Sequence, residues 1–514
     1  MTSRETVGDL MKQPALIVEP EAQVQTAADR MHAKGSGSIV VVDDRDHVVG
    51  ILTERDLLRL AAFGSDASNE RVADWMTADP TTATPDTPAT EGLKRLNEGK
   101  FRHLPVCEAD GSLAGVVSMR DLMAIAKVEA VRHPGELDAP KGLAGVTVAE
   151  TEVGGVRGRE GFFHYRQYAA TDLARQRTFD DVWHLLLVGE LPASTREREA
   201  FLDRVRPLRA LSPKTATLLH EIAAAGSSPL DGLRTGVSLV AADEGFQPSM
   251  DVTADDLLEQ ALRITAVVPT IIAALYRAHQ GEDPVAPHPD LPYAANYLYM
   301  LRGEVPAPHN ARAIEQYLIS TVDHGFNAST FTARVITSTG ADLGAAITGA
   351  IGALSGPLHG GAPSRALDLL DEIGSVERAD EVVRRKIETG ERIMGFGHRV
   401  YKTRDPRSVL LREVAERVGG DEAALAIAVE DVVVDLLAEL KPGRELYANV
   451  EYYAGIVMES AGLPTDLFTA TFAASRTVGW CAHVMEQAAD NRIIRPSARY
   501  VGTPPPQDVP TIDE

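Results

Sequence analysis

Three short polar or glycine-rich segments in the C-terminal part of the chain each carry one histidine. These are His324 in DHGFNAST, His359 in GPLHGG and His398 in GFGHRVYK. A substrate can approach a histidine closely when glycines surround it, and a neutral imidazole can donate a hydrogen bond to an oxygen that gains charge. The three segments are therefore candidates for one site with acid–base capacity.

Arginines and one carboxylate lie in similar short clusters. Arg407 ends the run DPR, Glu451 lies in NVEYYAG, Arg476 begins RTVGW, and Arg495 precedes a proline. Arginine binds a carboxylate through two parallel hydrogen bonds, and a glutamate can act as a general base. Together with the histidines, these residues predict carbon-acid chemistry on a dicarboxylate.

Charge and composition exclude several other functions. The chain has 514 residues, with 51 Lys and Arg against 74 Asp and Glu, and a net charge of −23. This balance argues against a nucleic-acid or membrane partner, but it leaves small anionic substrates open. Cys107 and Cys481 match no metal-binding spacing, so we expect two buried thiols and no metal. The N-terminus resembles no targeting peptide, and we expect a cytoplasmic protein.

Apolar residues spaced three and four apart predict that the C-terminal part is mostly helical. The predicted helices are 179–189, 257–274, 293–303, 311–321, 408–418 and 423–440. Residues 337–358 are dense in Gly, Ala and Ser, which are unfavourable in a helix unless they permit close packing. This stretch therefore predicts one central, buried helix.

The N-terminal part contains an internal repeat. The residues DLM at 9–11 recur as DWM at 74–76, and GILTERD at 50–56 recurs as GVVSMRD at 115–121. Both pairs are separated by the same offset of 65 residues (74 − 9 and 115 − 50). Each copy predicts a helix, a strand, a polar turn, a second strand and a further helix.

The last helix of each copy begins at a residue suited to bind an anion. Thr53 and Ser118 are good N-caps, and a helix N-terminus offers free amides to a phosphate. Asp56 and Asp121, three residues further on, can accept hydrogen bonds from a ribose. The alternative is that these residues only cap their helices.

This repeat resembles a pair of CBS (cystathionine beta-synthase type) domains over residues 1–128. The T/S-x-x-D motif of that family is present in both copies. The resemblance implies an α/β module that senses an adenine nucleotide, with ATP, ADP and AMP as candidate ligands. Thr53 and Ser118 would lie near the phosphate, and Asp56 and Asp121 near the ribose.

The C-terminal segments resemble citrate synthase. The run GFGHRVYKTRDPR is close to that family's signature, and the other four segments flank it in the family's order. The resemblance covers residues 142–500 and implies the mainly α citrate synthase fold, with a large and a small helical subdomain. Residues 129–141, rich in helix-breaking Pro and Gly, are the predicted linker, and 501–514 form a Pro-rich tail.

The resemblance implies a role for each matched residue. His359 stabilises the enolate of acetyl-CoA, His398 polarises the ketone of oxaloacetate, and Glu451 removes the methyl proton. The oxaloacetate contacts are His324, Arg407, Arg476 and Arg495. Arg495 comes from the neighbouring subunit, which implies a homodimer and leaves higher oligomers open. The CoA contacts are Gly395, Phe396, Gly397, Lys402 and Arg404.

The implied reaction condenses acetyl-CoA, as co-substrate, with oxaloacetate and then hydrolyses the thioester, without a tightly bound cofactor or metal. The family usually has Asp where this chain has Glu451, and Asn is common where it has Pro363.

Two alternative functions stay open. One is 2-methylcitrate synthase, which uses propionyl-CoA and differs by one methylene in the acyl pocket. The other is a catalytically weak, nucleotide-sensing regulatory dimer.

Overall fold

The computed structural model of the protein describes residues 6–99, 101–119, 121–122, 139–143, 145–359, 363–391, 393–398, 400–441 and 446–498. The described residues divide into two compact units. The first contains those up to Val146 and those after Pro496, and the second is Thr147–Pro496. Residues 129–138 of the predicted linker and the predicted tail 501–514 lie outside the described residues.

The first unit is a small α/β module. Its helices are α1 (Val7–Leu10), α2 (Val24–Lys34), α3 (Glu54–Phe63), α4 (Val72–Trp75) and α5 (Ala89–Gly99). Its strands are β1 (Ile17–Val18), β2 (Ser38–Val42), β3 (Val48–Thr53), β4 (Thr77–Ala78), β5 (His103–Cys107) and β6 (Leu113–Ser118). The sheet order is β1-β2-β3-β4, with β1 parallel to β2 and the other pairs antiparallel, while β5 and β6 form an antiparallel pair.

Each copy of the repeat buries its own apolar core. In the first copy, Ile39, Val41 and Leu52 pack together with helix α2. In the second copy, Leu104 and Val117 occupy the corresponding cluster. The strands are apolar because their side chains are buried in these clusters, and they are short because polar turns or helix caps follow them, which is the arrangement that the repeat predicts.

The second unit is mostly helical, as predicted. Its helices are α6 (Ala170–Gln176), α7 (Phe179–Val188), α8 (Thr195–Val205), α9 (Pro213–Ala224), α10 (Pro229–Asp243), α11 (Ala254–His279), α12 (Tyr293–Arg302), α13 (Pro308–Thr321), α14 (Ala328–Ser338), α15 (Leu343–Leu354), α16 (Pro363–Ile373), α17 (Val376–Thr389), α18 (Pro406–Val418), α19 (Asp421–Leu440), α20 (Val450–Ser460) and α21 (Phe468–Ala489). Three short strands, β7 (Gly154–Arg157), β8 (Phe162–Tyr165) and β9 (Tyr168–Ala169), form an antiparallel sheet.

Helix α11 runs through the core of this unit. By length and composition it is apolar enough to cross a membrane, but 78% of its most apolar window is buried inside the unit. It packs against α9, α10, α12 and α21. Neighbouring helices therefore cover its apolar surface. Pro269 lies inside this helix.

The prediction of a single helix over residues 337–358 is wrong. Helix α14 ends at Ser338, Gly340 adopts a left-handed conformation with φ +81°, and α15 begins at Leu343. Asp342 caps α15 by accepting the Ala345 N–H at 2.9 Å. A left-handed glycine followed by a good N-cap separates two helices, and the small residues of α15 then let it pack closely on α14.

Candidate active site

A cavity of about 180 Å³ in the second unit gathers residues from distant parts of the sequence. Six predicted site residues line it: His324, His359, His398, Arg407, Glu451 and Arg476. The lining also contains Asn327 and Asn449, which lie in the predicted motifs but had no predicted role, and Tyr317, Thr321 and Phe472, which lie outside those motifs. The cavity thus combines three imidazoles, two guanidinium groups and one carboxylate.

His398 is held as a neutral hydrogen-bond donor. Its Nδ1 atom accepts the backbone N–H groups of Val400 at 2.9 Å and Tyr401 at 3.1 Å. A ring nitrogen that accepts carries no proton, so this hydrogen bonding assigns the proton to Nε2. Burial, reinforced by the charge of Arg407, lowers the pKa of His398 to about 4. The imidazole is therefore uncharged at neutral pH and can donate from Nε2.

His359 has the opposite tautomer. The backbone N–H of Ser329, in the first turn of α14, donates to its Nε2 atom at 3.3 Å. The Ser329 hydroxyl lies 2.8 Å from the same nitrogen and is itself held by the indole N–H of Trp480 at 3.1 Å. These contacts assign the proton to Nδ1. Burial, followed by the charge of Arg476, lowers the pKa of His359 to about 4.

Glu451 lies in the first turn of α20. Its backbone N–H donates to the Asn449 side chain at 3.0 Å, and the preceding N–H of Val450 donates to Asp405 at 3.2 Å. Burial raises the pKa of Glu451 to about 7, against the opposing charge of Arg407. A carboxylate with this pKa is suited to general-base catalysis near neutral pH.

The two cavity arginines are buried and held by different contacts. Asp405, the N-cap of α18, accepts from Arg407 Nε at 3.0 Å and from its Nη2 at 2.7 Å. On α21, Arg476 donates from Nε to the Thr321 carbonyl at 2.7 Å, and its guanidinium lies 4.6 Å from the centre of the Phe472 ring. Burial lowers the pKa of Arg476 to about 10, so it remains charged at neutral pH and favours an anionic ligand.

His324 is the last of the six predicted residues that line the cavity. Its Nε2 atom lies 2.9 Å from the Tyr401 hydroxyl, and its ring centre is 5.8 Å from that of His398. Burial and the charges of Arg407 and Arg476 hold the pKa of His324 well below its ordinary value. This histidine is therefore neutral as well.

Arg495 stands apart from this group. Its side chain is exposed, and it is not among the residues that line the cavity of the single chain. Pro363, the second departure from the family pattern, begins helix α16, and its side chain lies outside the described residues.

A second cavity, of about 540 Å³, shares Asn449 and Glu451 with the first. Two of the five predicted CoA contacts, Gly395 and Phe396, line it. Gly395 has φ +84°, and a Cβ atom there would lie 2.9 Å from the Tyr452 ring, so this position requires glycine. The other three contacts are not among its lining residues.

Those three residues lie on the same connection before α18. The Gly397 N–H donates to the Tyr447 carbonyl at 2.8 Å, and the Arg404 guanidinium lies 5.7 Å from the centre of the Tyr447 ring. The Lys402 backbone N–H donates to the Gly158 carbonyl at 3.0 Å.

The first unit contains a cleft of about 520 Å³, and its lining includes Thr53 and Asp56. The Thr53 hydroxyl donates to Asp56 at 2.7 Å, and in the second copy Ser118 donates to Asp121 at 2.5 Å. Ser118 and Asp121 are not among the residues that line this cleft. The first pair caps α3, so capping by itself does not distinguish a ligand site, and the helix predicted after Ser118 lies mostly outside the described residues. The two copies of the motif therefore differ, because the motif of the first copy lines this cleft and the motif of the second copy does not.

Comparison with known families agrees with the two-part organisation. The family "Citrate synthase, C-terminal domain" matches residues 142–497. The chain belongs to the citrate synthase family. The CBS domain family matches residues 7–62 and 72–127, so this citrate synthase family member also carries a CBS domain pair.

Citrate synthases of other organisms are similar to this chain over most of their own length. The enzyme of Haloferax volcanii is 41% identical over 364 residues, which cover 70% of this chain and 95% of that protein. The enzyme of Deinococcus radiodurans is 38% identical over 372 residues, with the same coverage. This citrate synthase family member is accordingly an acyltransferase of the citrate synthase type.

A solved citrate synthase from Thermoplasma acidophilum, in ternary complex with carboxymethyl coenzyme A and oxaloacetate, is also similar. It aligns with a TM-score of 0.67 at 30% identity, over 73% of this chain and 99% of that one. The crystal structure from Pyrobaculum aerophilum aligns with a TM-score of 0.65 at 36% identity, over 73% and 97%. The fold of the second unit is therefore the citrate synthase fold.

Proposed function

We propose that this enzyme condenses acetyl-CoA with oxaloacetate to give citrate and CoA. The observation that supports this proposal is the pairing of two neutral imidazole donors with one carboxylate in a single cavity. His359 offers a proton on Nδ1, His398 offers one on Nε2, and Glu451 supplies a base with a pKa of about 7. The buried charges of Arg407 and Arg476 attract the carboxylates of oxaloacetate.

The proposed steps follow from these roles. Glu451 takes a proton from the methyl group of acetyl-CoA while His359 donates to the thioester oxygen, which stabilises the enolate. His398 donates to the ketone oxygen of oxaloacetate, and the enolate carbon attacks the ketone carbon. Water then cleaves the thioester, which releases CoA. His324 joins the two arginines in binding oxaloacetate.

The cavity that shares Glu451 with the substrate cavity is our proposed entry for CoA. Gly395 and Phe396 line it next to the base, which would bring the acyl group to Glu451. We retain Gly397, Lys402 and Arg404 as proposed CoA contacts along the same connection. The complex with carboxymethyl coenzyme A named for the Thermoplasma structure supports a CoA thioester as the co-substrate class.

A thiol-release assay with the purified full chain tests this function. We expect CoA release with oxaloacetate and acetyl-CoA, and faster release than with propionyl-CoA. A preference for propionyl-CoA would assign 2-methylcitrate synthase instead, since the two acyl groups differ by one methylene. No release with either thioester would overturn both enzyme assignments and favour the regulatory dimer. The matched control is Glu451→Gln, which keeps the side-chain shape and removes the base.

We propose that Arg495 completes the oxaloacetate site of a neighbouring subunit in a homodimer. Its exposure in the single chain supports this role. Co-expression of differently tagged Arg495→Ala and His359→Ala chains tests it. Each variant alone is expected to be inactive, whereas the mixed dimer has one complete site and recovers about half of the activity. A mixed dimer without activity would overturn the shared site.

We further propose that the cleft of the first unit binds an adenine nucleotide and regulates the enzyme. Thr53 and Asp56 line the cleft at the N-terminus of α3, where free amides favour a phosphate. Calorimetric titration of the full chain with ATP, ADP and AMP is expected to show binding that Asp56→Ala abolishes. Regulation requires the nucleotide to bind two states of the enzyme unequally, so kcat or KM must change when it is added. Absence of binding would overturn the sensor role.

A further inference from the structure

We propose that His483 is a positioning residue for oxaloacetate binding: its imidazole holds the Asp323 carboxylate, which fixes the turn that carries His324. This inference rests on the proposed function, because it concerns the same oxaloacetate site. His483 lies on α21 and is not among the residues that line the substrate cavity. It therefore acts through Asp323 rather than on the substrate.

The hydrogen bonds around His483 have a defined direction. The Nε2 atom of His483 lies 3.2 Å from Oδ1 of Asp323, and each of the two side chains is only 1% exposed. The Nη1 atom of Arg334 lies 3.3 Å from Nδ1 of His483. An ionised carboxylate can only accept, so Nε2 of His483 carries a proton that is directed at Asp323.

The Asp323 side chain holds the backbone that follows His324. Asp323 immediately precedes this histidine, and its Oδ2 atom accepts the Gly325 N–H at 3.1 Å. Burial by itself raises the pKa of Asp323, but the hydrogen bond from His483 and the positive charge of Arg476 keep it below the ordinary value. The carboxylate is thus ionised and binds His483 on one side and the turn on the other.

The turn that carries His324 lies directly against α21. Arg476 and His483 are seven residues apart, which places them two turns apart on one face of the helix. Between them, a Cβ atom at Gly479 would lie 2.3 Å from the Val322 carbonyl oxygen, so only glycine permits this close approach. His483 is the side chain that then joins the helix to Asp323. Its loss would free the oxaloacetate-binding His324 and leave Glu451 and the CoA cavity in place.

Two substitutions of similar size separate positioning from general packing. In His483→Gln the amide nitrogen can reach the place of Nε2 and still donate to Asp323. In His483→Asn the shorter side chain cannot reach it. We expect His483→Gln to keep the KM for oxaloacetate within about threefold of the wild type. We expect His483→Asn to raise it about tenfold, while the KM for acetyl-CoA stays within about twofold.

Cys481→Ala is the matched control on α21, because Cys481 is fully buried but contacts Thr265 rather than the turn. It is expected to lower the melting temperature without changing either KM. Equal KM values for His483→Asn and the wild type would overturn the proposal, as would a parallel rise of both KM values. If His483→Asn does not fold, a tenfold KM increase in His483→Gln overturns it. A wild-type enzyme without thiol release would instead refute the proposed function.

Discussion

The Nη2 atom of Arg407 lies 3.1 Å from the Nε2 atom of His398. Because backbone amides donate to the Nδ1 atom of this imidazole, Nε2 carries the proton, and the two facing groups are both donors. Both groups can therefore direct an N–H at the same ligand oxygen. In the proposed reaction, the ketone and carboxylate oxygens of oxaloacetate accept from them, so this pair favours an oxygen-rich anion.

Removal of the His398 donor is therefore expected to slow catalysis strongly. His398→Ala should lower kcat about 10²- to 10³-fold, the range typical of losing one donor to a developing oxyanion. Steady-state rates at saturating oxaloacetate measure this effect. His220→Ala, at an exposed position on α9, is the control and should leave kcat unchanged. A decrease of less than tenfold in His398→Ala would contradict the proposed role in polarising the ketone.

The pH dependence of kcat/KM should show one acid limb near pH 7. Burial raises the pKa of Glu451 to about 7, so the base becomes protonated and activity falls as the pH drops through this value. His359 and His398, with pKa values lowered to about 4, stay neutral above pH 5 and add no second limb there. Rates measured from pH 5 to 8.5 test this. A profile that is flat across pH 6 to 8 would be inconsistent with Glu451 as the base.

Shortening the base should slow the reaction rather than accelerate it. The first turn of α20 is fixed by Asn449 and Asp405, so Glu451→Asp would withdraw the carboxylate by about one methylene. A misplacement of about 1 Å can cost about a hundredfold in rate, and we expect kcat to fall by that order. The thiol-release assay measures it. A faster Glu451→Asp enzyme would show instead that the longer reach of glutamate limits this chain.

Removal of Asp405 should destabilise the second unit. The Asp405 and Arg407 side chains are 1% and 4% exposed, so Asp405→Asn leaves a buried guanidinium without its charged partner. Loss of one partner of a buried ion pair costs about 3–5 kcal/mol, which should appear as a clear drop in the unfolding midpoint. The control Asp203→Asn removes the exposed carboxylate of a pair with the half-buried Arg206 and should cost under about 1 kcal/mol. Equal midpoints for the two variants would contradict the prediction.

The local elements were predictable where short-range chemistry decides them. An apolar run between polar turns marks a strand, so the repeat predicts second strands over 48–52 and 113–117. The structure extends each strand by one residue, to Thr53 and Ser118. The helical periodicity likewise located α11 despite its internal Pro269. The prediction failed over residues 337–358, because composition alone did not reveal that Gly340 and Asp342 end one helix and start the next.

Several residues of the cavity had no local pattern to reveal them. Tyr317 and Thr321 lie one turn apart on α13, and Phe472 lies on α21, where each resembles an ordinary core residue. His483 is likewise a lone histidine on an apolar helix. Only the packing of α13, α14 and α21 against one another shows which of these side chains face the site.

The chemical groups, their order and the citrate synthase family can be read from short motifs, because each motif carries its residue types with it. The protonation and direction of those groups depend on the folded chain. The proton of His359 is placed by Ser329, which precedes it by thirty residues, and the pKa of Glu451 is raised by burial among several helices. Such properties depend on contacts between residues far apart in the chain, which no local pattern contains.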